Sequence, residues 1–359
     1  MSNDVAIRQI GPKSAKRAIG KAIQTHRPVF LWGPPGIGKS DVVKQIGEAA
    51  GREVIDVRLA LWEPTDIKGI PYYNSDLGQM TWAPPAELPT DPDSTAIIFL
   101  DELNSAPPAV QAAAYQLVLN RRVGTYELPK GVDVVAAGNR EGDRGVTYRM
   151  PSPLANRFIH LEMRVDHDDW QEWATLNKLH ADVVGYVGFA KQDLYDFDPK
   201  GSSKAFATPR SWSFVSDLLN DDDVDQDTLL TLISGAVGDG IAIKFMAHRK
   251  IASKLPKPED ILAGKVKELE TTEVSAMYSL TVSLCYELKE AADKKAKDFN
   301  KKSDRFFEFM MANFPTELVV MGAKTALTNY NLPLDPQNME SFDDFHQRFG
   351  KYVIQAMDA

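Results

Sequence analysis

One cysteine, Cys285, occurs among 359 residues, which excludes an intrachain disulfide and any zinc site built on paired thiolates. Cys285 falls in a helical stripe with Val274, Met277, Tyr278, Thr281, Leu284 and Leu288, so a buried thiol is expected, not a nucleophile. The histidines number six and are scattered; His160 and His167 lack ligand-spaced neighbours and are expected at the surface or in caps. No stretch approaches the roughly 18 apolar residues of a membrane span. Met1-Ser2-Asn3-Asp4-Val5 has neither the basic start nor the apolar segment of a secretory leader. A cytoplasmic location without a membrane partner is the expectation. Positive charge is also short, with 41 Lys and Arg against 50 Asp and Glu, net −9, which weighs against broad nucleic-acid binding. Internal repeats and low-complexity tails are lacking.

Against these absences stands one dense motif. Gly33, Pro34, Pro35, Gly36, Ile37, Gly38, Lys39 and Ser40 fill every position of the G-x-x-x-x-G-K-[ST] phosphate loop, between the apolar run 28–32 and a helix-patterned segment from Asp41. Glycines let the backbone approach phosphates, whose charge is met by successive N–H groups and the positive end of the next helix. A bound nucleoside triphosphate is expected, with Lys39 on the β- and γ-phosphates and Ser40 on Mg2+.

The apolar run 95–100 ends in Asp101-Glu102, the pattern of a Walker B strand. Asp101 is expected in the Mg2+ shell and Glu102 as the residue that orients and activates water. The strand 132–138 delivers Asn139 at its carboxyl end, where open α/β sheets place ligand contacts; Asn139 can bridge the γ-phosphate and that water.

Phosphate loop, Asp101-Glu102, Asn139, Ser152-Pro153-Leu154-Ala155-Asn156-Arg157-Phe158 and Ala207-Thr208-Pro209-Arg210-Ser211 occur in the order used by AAA+ ATPases. The chain resembles their MoxR-type branch most closely through Asp101-Glu102-Leu103-Asn104-Ser105-Ala106-Pro107-Pro108 with Gln111 following, and the resemblance covers about residues 8 to 255. It implies an α/β core of P-loop NTPase type with a parallel sheet, a helical lid and a helical C-terminal extension. It further implies that ATP is hydrolysed, with Asn139 as sensor 1, Arg157 as an arginine finger offered to a neighbouring subunit and Arg210 as sensor 2. A guanidinium suits both arginine roles because its rigid, permanently charged fork can stabilise charge on the transferring phosphoryl oxygens. Arg149 is a rival finger. A homo-oligomeric ring follows from a trans finger, and six subunits from the resemblance.

MoxR-type proteins are often encoded beside a von Willebrand factor A domain protein, so the resemblance implies a chaperone that remodels or activates a protein client with such a partner. A nucleic-acid motor or loader is the alternative, and a slowly hydrolysing nucleotide-switched scaffold a third reading. The domain expectation is a nucleotide-binding core over 1–165, a helical lid over 166–255 and C-terminal helices over 256–359. The aromatic, proline-rich stretch 62–85 is read as a packed surface loop or as the insert that engages partners in MoxR-type relatives. Residues 121–128 read as a β-hairpin whose Arg121 and Arg122 either are solvated or touch nucleic acid. Asp221-Asp222-Asp223 is expected to be a solvated loop. Lys294, Lys295, Lys297, Lys301 and Lys302 are expected on a charged face, and Phe306, Phe307, Phe309, Met310, Met311 and Phe314 to pack on the lid.

Overall fold

A computed structural model describes residues 8–358 apart from 141, 144–147, 149, 221–223 and 272. The Asp221-Asp222-Asp223 cluster and Arg149 therefore lie outside the described residues. The chain forms two compact units, one ending at Asp166 and also holding Asp198–Gly201, the other comprising His167–Phe197 and the chain from Ser202 onward.

In the first unit the elements run β1 (Gln9–Ile10), α1 (Pro12–Gln24), β2 (Val29–Trp32), α2 (Lys39–Ala50), β3 (Val54–Arg58), α3 (Pro64–Lys68), β4 (Ile70–Asn74), β5 (Gln79–Ala83), β6 (Ile97–Asp101), α4 (Pro108–Asn120), β7 (Arg122–Val123), β8 (Tyr126–Glu127), β9 (Asp133–Gly138), α5 (Ser152–Ala155) and β10 (Ile159–Met163). Val29, Phe30, Leu31, Ile97, Ile98 and Phe99 are fully buried, as strands covered by helices on both faces require. Six strands form one wholly parallel sheet in the order β1-β10-β2-β9-β6-β3. From β2 the chain crosses to the far edge at β3, returns through β6 and β9, and then passes β2 to reach β10. Connections thus diverge on either side of β2, which opens a crevice at the carboxyl ends of the strands. This is the AAA+ type of P-loop NTPase core, with a helical C-terminal region behind it in sequence.

Two small hairpins stand apart from the sheet. β7 and β8 pair antiparallel at 122–127, as the sequence predicts. β4 and β5 pair over Ile70–Asn74 and Gln79–Ala83, so the stretch from 62 is neither a linker nor a simple packed loop. Ile70, Tyr72, Tyr73, Leu77 and Met80 on this ribbon are exposed, Tyr73 at 71%. Gly69 permits the ribbon to leave α3, because a Cβ there would lie 1.8 Å from the Ala83 carbonyl oxygen.

The second unit is helical: α6 (His167–Leu176), α7 (Ala181–Phe189), α8 (Pro209–Asn220), α9 (Gln226–Val237), α10 (Asp239–Ala252), α11 (Pro258–Leu262), α12 (Val274–Asp293), α13 (Phe299–Asn313), α14 (Thr316–Lys324) and α15 (Phe342–Asp358). α9 and α10 are separate helices, because Gly238 between them has φ +89°, outside helical space. Asp225 caps α9 by accepting from the amides of Asp227 and Thr228. Segments 166–255 and 256–359, expected to be separate, meet closely here through α7 and α12. Gly185 allows that approach: a Cβ would fall 2.2 Å from Ser279 Oγ and 2.5 Å from its Cα. Phe306, Phe307, Phe309, Met310 and Phe314 are buried with Leu284, Leu288, Leu318 and Phe345, chiefly among the C-terminal helices, with Leu255 from the end of the 166–255 segment packed against the cluster. Cys285 is fully buried, and burial pushes its thiol pKa up to about 12.

Candidate functional site

The phosphate loop joins the end of β2 to the start of α2, so the α2 N-terminus points its free amides into the crevice. Its glycines are required by shape. Gly36 and Gly38 have φ of +75° and +89°, and a Cβ on Gly33 would stand 2.6 Å from Ile37 Cδ1 and 2.8 Å from the Met163 carbonyl oxygen. The Lys39 ammonium lies across this loop and donates to the carbonyls of Gly33 at 2.6 Å and Pro34 at 3.0 Å, and to Asn139 Oδ1 at 3.0 Å.

Beside Lys39, the Ser40 hydroxyl donates to Asp101 Oδ2 at 3.0 Å, which brings α2 against the end of β6. The other Asp101 oxygen accepts from the Glu102 amide at 2.9 Å. Glu102 itself has φ +55° and an exposed side chain. A non-glycine residue in this region carries roughly 1–3 kcal/mol of strain. The turn takes the chain at Glu102 out of the β6 strand conformation while Asp101 stays tethered to Ser40. Asp56 on β3 is a neighbour that the sequence reading missed. Its carboxyl is held above the usual range by desolvation first and by Asp101 second, against the pull of Arg58 and Lys44. The only sequence signal was a pair of charges, Asp56 and Arg58, alternating along a strand.

Asn139 follows the last residue of β9. Its side-chain oxygen takes the Lys39 bond and its backbone oxygen accepts from Asn104 Nδ2 at 2.7 Å. Asn104 is 2% exposed and lies in the one-turn 3-10 helix Leu103–Ser105 that follows Glu102. Gln111, also buried, donates to the Ala106 carbonyl and fixes the next bend. The structure thus brings together Gly33 to Ser40, Asp101, Glu102 and Asn139.

Arginines predicted for the site are placed differently. Arg157 is exposed just after α5 in the first unit, and Arg210 is exposed in the first turn of α8 in the second unit. Thr208 and Ser211 bond reciprocally across that turn, Ser211 Oγ accepting from the Thr208 amide and Thr208 Oγ1 from the Ser211 amide, which fixes the start of α8. Arg140, next to Asn139, pairs with Asp143 at 3.0 Å and Glu162 at 3.1 Å. The Asp143 bond above all, then Glu162, holds its guanidinium still more firmly protonated than usual. Arg121 donates to the carbonyls of Pro129 and Val132, so it braces its own hairpin and is not a free cation. His160, expected at the surface or in a cap, accepts at Nδ1 from the Trp32 indole N–H at 2.9 Å, so its Nε2 carries the proton it gives to the Ala155 carbonyl at 2.7 Å.

The oxygens of Ser40 and Asp101 are a hard donor pair suited to Mg2+. Among the described residues no group of three or more His, Cys, Asp or Glu side chains is able to hold a metal ion, so a divalent ion here relies on this pair with ligand oxygens and water. Among the described residues, too, no helix is long and apolar enough to cross a membrane.

Residues 28–158 match the family described as AAA domain (dynein-related subfamily). Over 188 residues the chain is 29% identical to midasin of Giardia intestinalis, a match that covers 49% of this chain and 4% of that protein. Its fold is similar to a RuvB variant of Thermotoga maritima, at 15% identity with a TM-score of 0.40 over 84% of this chain and 88% of the other. NtrX of Brucella abortus in complex with ADP gives 15% identity and a TM-score of 0.40 over 81% and 70%. The sheet order, the phosphate loop and the AAA domain matched over residues 28–158 agree on a P-loop NTPase core.

Proposed function

We propose that this chain hydrolyses ATP in a ring of identical subunits and uses the cycle to remodel a protein client, as a MoxR-type AAA+ chaperone working with a von Willebrand factor A domain protein. The observation that carries the hydrolytic part is the convergence of Lys39, Ser40, Asp101, Glu102 and Asn139 at the carboxyl ends of β2, β6 and β9, through bonds that tie the phosphate loop and the start of α2 to the ends of β6 and β9. Lys39 is placed to give up its loop carbonyls for phosphate oxygens. Ser40 and Asp101 would hold Mg2+, which supplies charge neutralisation between the phosphates when bound. Glu102 orients the attacking water and accepts its proton, while the Asn139 amide fixes that water opposite the leaving group.

Trans completion by Arg157 is consistent with its exposure at the end of α5. The client reading is supported by the sequence from Asp101 to Gln111 and by the apolar β4–β5 ribbon, and the scarcity of free basic charge favours it over a nucleic-acid motor. The test is Mg2+-dependent phosphate release from ATP by the wild type and by Glu102→Gln. Loss of about 10²–10⁴ in turnover, with nucleotide affinity and assembly retained, is expected. Undiminished turnover in Glu102→Gln removes Glu102 from the mechanism. Pull-down with this variant in ATP then separates the client readings: a dominant protein, with or without a von Willebrand factor A domain, supports remodelling, and nuclease-sensitive nucleic acid replaces it with a motor.

A further inference from the structure

We infer that Asn104 is a positioning residue for hydrolysis, one that sets the spacing between the Glu102 turn and the Asn139 amide; the inference rests on the proposed ATPase reading. The parallel ladder ends just before Asn139, since the last pairs are Trp32 with Gly138 on one side and Leu100 with Ala136 on the other. Beyond them the Asn139 carbonyl has no strand neighbour, and the Asn104 side-chain amide takes the place of one with its 2.7 Å bond.

Asn104 is equally tied to the Walker B turn. It sits inside the turn closed by the Ser105 amide on the Glu102 carbonyl at 2.9 Å, and its own carbonyl accepts from the Tyr148 amide at 2.7 Å. One buried residue therefore links the two, its side chain bonded to the Asn139 carbonyl and its backbone held in the turn that begins at Glu102. Asn139 is then held at both ends, by Lys39 on its side chain and Asn104 on its main chain.

The chemistry of the amide separates positioning from filling. Asn104 Oδ1 is buried without a hydrogen-bond partner, packed over Gly138, where a Cβ would lie 2.1 Å from it. An apolar side chain of similar volume would fill this space with no unmatched oxygen. What only the amide provides is the N–H directed at Asn139.

The experiment measures turnover, nucleotide affinity and melting temperature for Asn104→Ala and Asn104→Asp between about pH 6 and pH 8. Asn104→Ala is expected to lose about 10–100-fold in kcat, because roughly an ångström of misplacement costs that much, with nucleotide Kd changed less than about threefold. Asn104→Asp keeps the shape but, ionised, turns an acceptor toward the Asn139 carbonyl. Its turnover relative to wild type is low at high pH and rises as the pH falls and the buried carboxyl regains an O–H donor.

Turnover equal to wild type in both variants overturns the inference and leaves the ATPase reading intact. Equal losses of affinity and turnover with a lowered melting temperature, and a pH-independent ratio for Asn104→Asp, also overturn it, assigning Asn104 to scaffold alone. If Asn104→Ala fails to fold, Asn104→Ser supplies the truncation with a small donor retained, and the pH ratio of Asn104→Asp decides. A wild type with no turnover removes the ATPase reading, and this inference with it.

Discussion

The Lys39 ammonium donates to the side-chain oxygen of Asn139 at 3.0 Å, although 100 residues separate them. This bond closes a circuit that runs from the phosphate loop through Ser40 and Asp101 to Asn104 and back to Asn139. A phosphate drawing Lys39 toward itself releases one end of Asn139, so binding and the placement of the Asn139 amide are mechanically linked.

Lys39→Ala is accordingly expected to weaken nucleotide binding. A hydrogen bond to a charged group contributes about 1.5–3 kcal/mol, which corresponds to a roughly 10–150-fold rise in Kd. Isothermal titration with ATP checks it, and an unchanged Kd would take the phosphate role from Lys39.

Gly138→Ala tests the packing beneath Asn139. The added methyl would meet Asn104 Oδ1 at 2.1 Å and Phe30 Cζ at 2.8 Å, and overpacking of this kind costs about 1–3 kcal/mol. Combining it with Asn104→Ala relieves the nearer clash, so the double variant should lose less stability than the sum of the single ones. Chemical denaturation of the four proteins measures the coupling, and strict additivity argues against contact between the two positions.

Much of this site was legible because its chemistry is local in sequence: Gly33 to Ser40 and Asp101-Glu102 each occupy one turn, and strand patterns bracket them. The parallel sheet was expected from the AAA+ resemblance that those turns carry. What pattern reading missed depends on partners distant along the chain. Asn104 was visible as a motif letter, but its link to Asn139 exists only once β6 and β9 are adjacent. Arg121 and Arg122 looked equivalent, yet only the fold directs Arg121 onto the carbonyls of 129 and 132. The break at Gly238 was available in principle, since a glycine inside a helical pattern flags an interruption.

Arg157→Ala is expected to abolish most hydrolysis in a homomer, because a trans arginine contributes about 10³–10⁵ in rate. Mixing it with Lys39→Ala subunits should restore activity, as some interfaces then pair an intact phosphate loop with an intact finger. Phosphate release across a series of mixing ratios reads this out. Absence of recovery at every ratio contradicts the trans assignment.

His248 gives a pH dependence to the second unit. It is buried beside Ser279, and burial lowers its pKa below the ordinary 6.5, against a smaller opposing pull from Asp182. The unfolded chain therefore binds the extra proton first, so stability is full above about pH 6.5 and declines as the pH falls toward the lower folded value. Melting temperatures between about pH 7.5 and pH 5.5 should drop more for the wild type than for His248→Gln. Identical slopes would exclude His248 as the source.

The β4–β5 ribbon carries a further consequence for handling the molecule. Each strand pairs only with the other, and residues 70–83 contain a single charge, Asp76. Pro71 removes one donor from β4 and the Trp82 carbonyl of β5 is taken by Thr125 Oγ1 at 3.0 Å, but no third strand covers either edge among the described residues. Self-association at high concentration is therefore expected to start at this ribbon, through strands added to its open edges, whatever the net charge of the whole chain.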